Sequence, residues 1–172
     1  LLGKAKELKY NIAYDYNHVT AKTISFLHEI QDLHELDDKT KIRAKQLIED
    51  NERVYYFIKA SDANIRLQHW HNYLSLVNLI SLEDVLLKYG EIDDDLISSE
   101  PLIALMSESH FLLKHYKEAI PHLERVWNIN PIFLMRLCEC YKKEDMWDEI
   151  EIVLKKAEAS NFDNEGIIDR KS

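Results

Sequence analysis

The sequence is poor in the residues that make turns and cross-links. Its 172 residues include three glycines, three prolines and two cysteines. Sheets need many tight turns, and most of those turns favour Gly or Pro, so this composition argues against a β-sandwich or a doubly wound sheet. It favours long helices with short connections. A chain of this length can bury roughly 70% of its unfolded surface, so it needs no disulfide or metal for stability.

The sequence also lacks an apolar run of about 18 residues and a recognisable signal peptide, so we expect no membrane-spanning segment and a cytoplasmic location. Cys138 and Cys140 point to different faces of a helix and form no CxxC motif, so we interpret them as free thiols in a reducing compartment. The chain begins at Leu1 instead of Met, which suggests a fragment or a processed form.

Positive charge is scarce in the second part of the chain. Residues 1–60 balance ten cations against ten acids, whereas residues 61–172 carry twelve cations and 21 acids, which accounts for the net charge of −9. Binding to phosphate needs clustered cations, so nucleic acid and anionic membrane are not expected partners. The acidity serves either solubility or a basic partner.

Apolar residues at helical spacing predict three helices in the first third of the chain, over 4–17, 20–36 and 38–59. Thr20 is the expected cap of the second helix. In the third helix, the predicted apolar row includes Ile42.

A fourth helix is predicted to open at Ser61 or Asp62. Ser81, with an acid three residues later, resembles a capping box. The short helix that it starts is expected to stop at Gly90 in a left-handed conformation. The acidic segment 91–100 is the expected connection.

The segment 101–160 is similar to itself at an offset of 31 residues, which is typical of stacked supersecondary units. Each unit is two helices with a turn near Lys114 or Asp145. The aligned pairs are Ile103 and Leu134, Met106 and Leu137, Ser107 and Cys138, His110 and Tyr141, Tyr116 and Trp147, Ala119 and Ile150, Leu123 and Leu154, and Val126 and Ala157.

At these residues the chain resembles the tetratricopeptide repeat (TPR) family. The segment HYKEAIPHLERVWNINP is similar to the second helix of such a repeat and its closing proline. Tyr116 and Trp147 fall where the family places an aromatic residue at the turn, and Ala119 takes the small-residue position at the helix crossing. The offset of 31 departs from the family's period of about 34, and Ser107 or Cys138 replaces its first-helix glycine.

The resemblance implies an all-α fold of antiparallel helical hairpins stacked as a short TPR-like α-solenoid. Residues 1–61 are expected to form N-terminal helices that pack on or extend the array, and residues 62–172 the array itself, with a C-terminal cap or tail. An exposed apolar end would allow a homodimer. The residues implied to pack the repeats are Ile103, Met106, Ser107, Tyr116, Ala119, Leu123, Leu134, Leu137, Cys138, Tyr141, Trp147, Ile150, Leu154 and Ala157.

The resemblance also implies a groove lined by the first helix of each repeat, where such arrays bind partners. The groove residues would be Ala104, Glu108, Phe111, Met135, Glu139 and Lys142. The Lys, Asn and Arg clamp that some family members use for C-terminal carboxylates is absent. A mixed apolar and acidic groove would suit a helix or a basic amphipathic peptide. The alternative is that this surface packs on the rest of its own chain.

The sequence offers no strong catalytic, metal or cofactor motif. Four residues after His28 the chain has Asp32, where a zincin helix has a second His. His69 and His71 point in different directions, and the remaining histidines are scattered. Tyr10 and Tyr14 form either a polar-aromatic patch or a helix seam. We expect no catalytic residues, metal or cofactor.

The sequence therefore predicts a non-enzymatic protein–protein interaction module, an adaptor or scaffold that binds a peptide or helix segment of a partner. The first alternative is a regulatory or sensor domain of a bacterial signalling protein that binds a small peptide. An enzyme that uses carboxylates or histidines of the N-terminal helices is the third hypothesis.

Overall fold

The computed structural model describes residues 2–160, with the side chains of residues 2, 5 and 7–14 left out. These residues form helices and no strand, so the all-α prediction is confirmed for the described part of the chain. The predicted C-terminal cap or tail at 161–172 and the Tyr10 and Tyr14 side chains lie outside it. The helices are α1 (Leu2–Ile30), α2 (Asp38–Ile58), α3 (Ala63–Asn78), α4 (Leu82–Tyr89), α5 (Glu100–Leu112), α6 (Tyr116–Val126), α7 (Pro131–Lys143) and α8 (Trp147–Ala159).

The first helix is continuous, so the predicted break before Thr20 is wrong. No Gly or Pro stands between residues 15 and 30 to interrupt α1. Thr20 is an interior helical residue, and Thr23 donates its hydroxyl hydrogen to the Val19 carbonyl at 2.8 Å within the same helix. The helix ends at Ile30, six residues before the predicted end, and Leu33 is exposed in the connection.

The next three helices begin at side-chain caps. The carboxylate of Asp37 accepts the backbone N–H of Thr40, and that of Asp62 caps α3 in the same way. Ser81 caps α4, as predicted. Gly90 ends this helix at φ −65°, so the predicted left-handed stop is wrong: the chain continues in right-handed turns from this residue.

The helices α1 to α4 form one compact unit that ends at Ile97, and α5 to α8 belong to a second unit from Ser98. The predicted boundary at 61/62 therefore differs from the observed division, because α3 packs against both α1 and α2. The first core joins buried residues of α1, α2 and α3, namely Phe26, Ile30, Ala44, Leu47 and Leu76. Ile42, which the sequence placed on the apolar row, is 67% exposed, because the buried row of α2 runs through Ala44, Leu47 and Val54.

A polar pair is buried in the seam between α1 and α2. Asn51 is 1% exposed, and its side-chain amide donates to Thr23 Oγ1 and to the Leu47 carbonyl, each at 2.8 Å. Buried polar groups are costly unless paired, so this geometry fixes the register of the two helices.

The acidic segment after α4 is tied to α3 by Arg66. Its guanidinium donates to Asp93 at 2.8 Å and to Asp95 at 2.6 Å. Asp93 also accepts the hydroxyl hydrogen of Tyr55 at 2.5 Å. Two acids of this segment thus hold the connection against α3.

In the second unit, each helix packs against the next along the chain. Connections of three or four residues make consecutive helices antiparallel. The Tyr141 hydroxyl joins α7 to α6 by donating to Glu124 at 2.7 Å. The core joins the buried residues Ala119, Ile120, Leu123, Leu134, Leu137, Cys140, Tyr141, Val153 and Ala157.

The same corner is built twice in this unit, 31 residues apart. Lys114 (φ 61°) ends the α5 side of one corner and Asp145 (φ 56°) the α7 side of the other. The N–H of His115 bonds to the His110 carbonyl at 2.9 Å, and the N–H of Met146 to the Tyr141 carbonyl at 2.8 Å. This 6→1 bond beside a left-handed residue is the Schellman arrangement, here without glycine.

Most of the residues expected to pack the repeats are buried. Tyr116, Cys138 and Ile150 are half-buried, and Trp147 is 56% exposed. Trp147 is the exception because α8 is the last described helix, and no further described helix covers it. The buried members are Ile103, Met106, Ser107, Ala119, Leu123, Leu134, Leu137, Tyr141, Leu154 and Ala157.

Candidate functional site

A cavity in the second unit lies along one face of α7. Its volume is about 640 Å³. Most of its residues lie on α7 at helical spacing, and α5 and α8 supply the remainder. The lining residues are Phe111, Ile132, Met135, Arg136, Cys138, Glu139, Lys142, Lys143, Ile150 and Leu154.

Four of the six predicted groove residues line this cavity, namely Phe111, Met135, Glu139 and Lys142. Ala104 and Glu108 do not line it. Glu108 nevertheless contacts it indirectly, because its carboxylate accepts a hydrogen bond from Arg136 at 3.3 Å. Five of the six predicted groove residues thus lie in or beside this cavity, on α5 and α7, and Ala104 is the exception.

Arg136 packs against Phe111 at the apolar end of the cavity. Its guanidinium carbon lies 5.3 Å from the centre of the Phe111 ring, within the range of a cation–π contact. The edge of the Phe111 ring meets Tyr116 with a centroid separation of 6.0 Å. Sequence reasoning missed Arg136, although it stands one position after Met135 on the same helix.

The rim of the cavity carries more positive than negative charge, which differs from the mixed apolar and acidic groove that the sequence predicted. Arg136, Lys142 and Lys143 line it together with a single carboxylate, that of Glu139. Arg136 is already paired with Glu108. Both lysines belong to the last turn of α7 and are exposed. The expectation assigned two acids to the groove, but one of them, Glu108, is occupied by an arginine.

A second cavity, of about 440 Å³, lies along α8. Trp147, Ile150 and Leu154 supply its apolar part, and charged residues on the same helix surround them. The residues 31 positions earlier than Ile150 and Leu154 are Ala119 and Leu123, which are fully buried in a core with residues of α7. Trp147 and Ile150 on α8 therefore stay partly uncovered within the described chain, whereas Leu154 is buried.

The two cysteines have different environments. Cys140 is fully buried, and burial, with the nearby Glu139 and Glu144, raises the pKa of its thiol to about 12. Cys138 is half-buried and lines the large cavity. A thiol with a raised pKa is a poor nucleophile, so Cys140 is suited to packing.

Three histidines that are scattered along the sequence lie close together at the α5–α6 corner. The His110 ring stacks on that of His122 with centroids 5.5 Å apart, and lies 5.8 Å from that of His115. Burial, and then the nearby His122 and His115, lowers the pKa of His110. His115 stands at the N-cap position of α6 without a side-chain cap bond, and His122 lies two turns further along the same helix, so this spacing was the signal that could have linked these two residues. Within residues 2–160, no group of three or more His, Cys, Asp or Glu side chains is placed to hold a metal ion.

Comparison of the chain with protein-family models, curated proteins and solved structures gave no match. Among the described residues, no helix is both long and apolar enough to cross a membrane. Function is therefore inferred from the geometry of the chain itself.

Proposed function

We propose that this chain is a non-enzymatic interaction module of the TPR-like type, whose α7 face binds an amphipathic segment of a partner protein. The observation that carries the proposal is the 640 Å³ cavity beside α7, with an apolar floor and a cationic rim. Helical arrays use such faces to bind peptides and helices of other proteins.

The apolar part of the cavity determines where the partner's side chains would lie. Phe111 and Met135 are half-buried, and Ile132 is 53% exposed, so together they leave an accessible apolar strip. Ile150, which is half-buried, extends this strip onto α8. A helix with apolar residues at i, i+3 or i+4 and i+7 would cover it.

The charged residues of the cavity determine which sign of charge the partner segment should carry. Lys142 and Lys143 are exposed at one end of the strip, while Arg136 is held by Glu108. An acidic residue near one end of the bound segment would pair with these lysines. The favoured partner is therefore an acidic amphipathic segment, opposite in charge to the one that the sequence suggested.

The repeated corners at Lys114 and Asp145 support the TPR-like part of the proposal. Two hairpins with the same turn and the same offset are what a stacked array requires. The exposed Trp147 supports a further contact at the end of the array, either with another helix or with a second copy of the chain.

Peptides selected by phage display on the immobilised chain provide the test. We expect the selected peptides to be acidic and amphipathic, and Met135→Glu and Lys142→Glu each to weaken their binding by about tenfold or more. Lys45→Glu, at an exposed position of α2, is the charge-matched control and should leave the dissociation constant unchanged. If Met135→Glu and Lys142→Glu bind the peptides as tightly as Lys45→Glu does, the α7 face is rejected as the site.

The same selection separates the proposal from its alternative. A partner segment inside a longer chain should bind with its termini blocked, because its contacts come from side chains. A small free peptide whose binding requires its own charged termini would favour a peptide-sensing regulatory domain.

A further inference from the structure

A smaller cavity lies in the first unit, between α2 and α3, and belongs to no site described above. Its volume is about 220 Å³. Pockets for drug-sized ligands measure roughly 300–1,000 Å³, so this cavity suits a ligand of only a few heavy atoms. Four rings and three charged side chains line it: Tyr55, His69, Trp70, Tyr73, Glu52, Lys88 and Glu91.

The aromatic walls are held in place by their own polar atoms. Trp70 donates its indole N–H to the Tyr55 hydroxyl at 3.2 Å, and Tyr55 donates in turn to Asp93. The Tyr73 hydroxyl donates to Glu52 at 2.6 Å. With these hydrogens already donated, these three rings have no free donor left and offer a ligand mainly their π-faces and edges.

His69 is a buried polar residue in the lining of the cavity. It is 3% exposed, stacks on Tyr55 with centroids 4.9 Å apart, and lies parallel to Tyr73 at 6.3 Å. Its Nδ1 atom is buried and has no hydrogen-bond partner among the described residues. A buried polar atom without a partner costs free energy, so such an atom marks a place where a ligand can supply the missing bond.

The charged groups around the cavity have a net negative charge, which favours binding of one more cation. Three carboxylates, those of Glu52, Glu91 and Asp84, act on the Tyr73 hydroxyl and contribute to its raised pKa. One ammonium opposes them, since Lys88 Nζ lies 3.3 Å from Glu91 and 3.9 Å from Glu52. The surroundings are therefore negative after this pairing.

We propose that this cavity binds a small organic cation that carries one hydrogen-bond donor, in the size class of choline or ethanolamine. The cationic head rests against the rings of Tyr55, Trp70 and Tyr73, where the π-faces attract positive charge. Glu52 and Glu91 supply the compensating charge. The donor group of the ligand reaches His69, whose neutral ring has one nitrogen able to accept.

The test uses three probes with the full chain, two of which, choline and 3,3-dimethyl-1-butanol, have nearly the same shape, and measures binding by calorimetry and by tryptophan fluorescence. Choline has both the charge and the donor, tetramethylammonium has the charge alone, and 3,3-dimethyl-1-butanol has the donor alone. We expect saturable binding of choline, and binding of the neutral alcohol at least tenfold weaker. Equal affinity for choline and the alcohol, or no saturable signal with millimolar choline, overturns the proposal.

Variants then locate the binding. Glu52→Gln and Glu91→Gln should each weaken choline and tetramethylammonium severalfold, whereas Glu49→Gln, an exposed acid on the same helix as Glu52, should not. His69→Phe keeps a ring of similar size, and should weaken choline but not tetramethylammonium. Circular dichroism checks that each variant is folded. Unchanged choline binding in both glutamine variants overturns the site, and equal effects of His69→Phe on the two cations overturn the role of His69.

Discussion

Burial of His69 without a hydrogen bond to Nδ1 should make the protein sensitive to mild acid. Burial lowers the pKa of this imidazole from 6.5 to about 4. A proton on the ring would place a charge among Tyr55, Trp70 and Tyr73, away from water. The perturbation that isolates this effect is His69→Phe, which keeps the stacked ring and removes the titrating group.

The direction and size of the effect depend on the two pKa values. Between pH 6.5 and pH 4 the unfolded chain binds a proton at His69 and the folded chain does not, so stability falls as the pH falls through this window. The loss amounts to about 3 kcal/mol across the whole window, and to about 2 kcal/mol between pH 7 and pH 5. The lowered pKa values of Glu29, Asp37 and Asp95 act in the same direction only at lower pH. The lowered pKa values of His71, His110 and His122 act in the same window as that of His69, so the difference between the wild type and His69→Phe isolates His69.

Urea denaturation at pH 7 and pH 5, monitored by circular dichroism, measures the effect. We expect the wild-type protein to lose about 2 kcal/mol more than His69→Phe between the two pH values. His28→Gln, at an exposed position, is the matched control and should lose as much as the wild type. If His69→Phe loses the same free energy as the wild type, then burial does not keep this imidazole neutral.

Three further predictions concern the helix seam, the corners and the thiols. Asn51→Ala should lower the free energy of unfolding by about 2 kcal/mol, because the bond to Thr23 is lost in a buried seam; an unchanged urea midpoint would show that this bond adds nothing. Lys114→Gly and Asp145→Gly should each raise the melting temperature, by the equivalent of about 0.5–1 kcal/mol, since glycine adopts a positive φ without strain; a lower melting temperature would contradict the observed corner. Maleimide should label Cys138 in the folded protein and Cys140 only after unfolding, as peptide mass spectrometry will detect; labelling of both at equal rates would contradict the burial of Cys140.

The sequence predicted best what local chemistry determines. The caps at Asp62 and Ser81 and the bounds of α2 depend on residue types that act within one turn of the chain. The prediction of a break before Thr20 failed because a hydroxyl residue acts as a helix cap only where another feature of the chain interrupts the helix. In α1 nothing interrupts the helix, and the packing of its face on α2 and α3 favours continuity.

The candidate site was partly predictable because it lies on consecutive turns of one helix. Phe111, Met135, Glu139 and Lys142 were placed by the repeat register alone. Arg136 was missed because its position depends on a partner 28 residues away, which no periodicity reveals.

The cavity around His69 could not be predicted for a similar reason. Its walls come from α2 and α3, and a charged residue from α4 completes it. Only the folded chain brings Tyr55, Tyr73 and Lys88 within reach of one another.

The duplicated corner has a consequence for how such a chain can change in length. The backbone follows the same path from one helix to the next at both corners, at Lys114 and again at Asp145. A tandem duplication of residues 115–145 would therefore join the chain at junctions that it already makes. One genetic event would add a whole hairpin, together with a second copy of the α7 face, and leave every existing turn as it was.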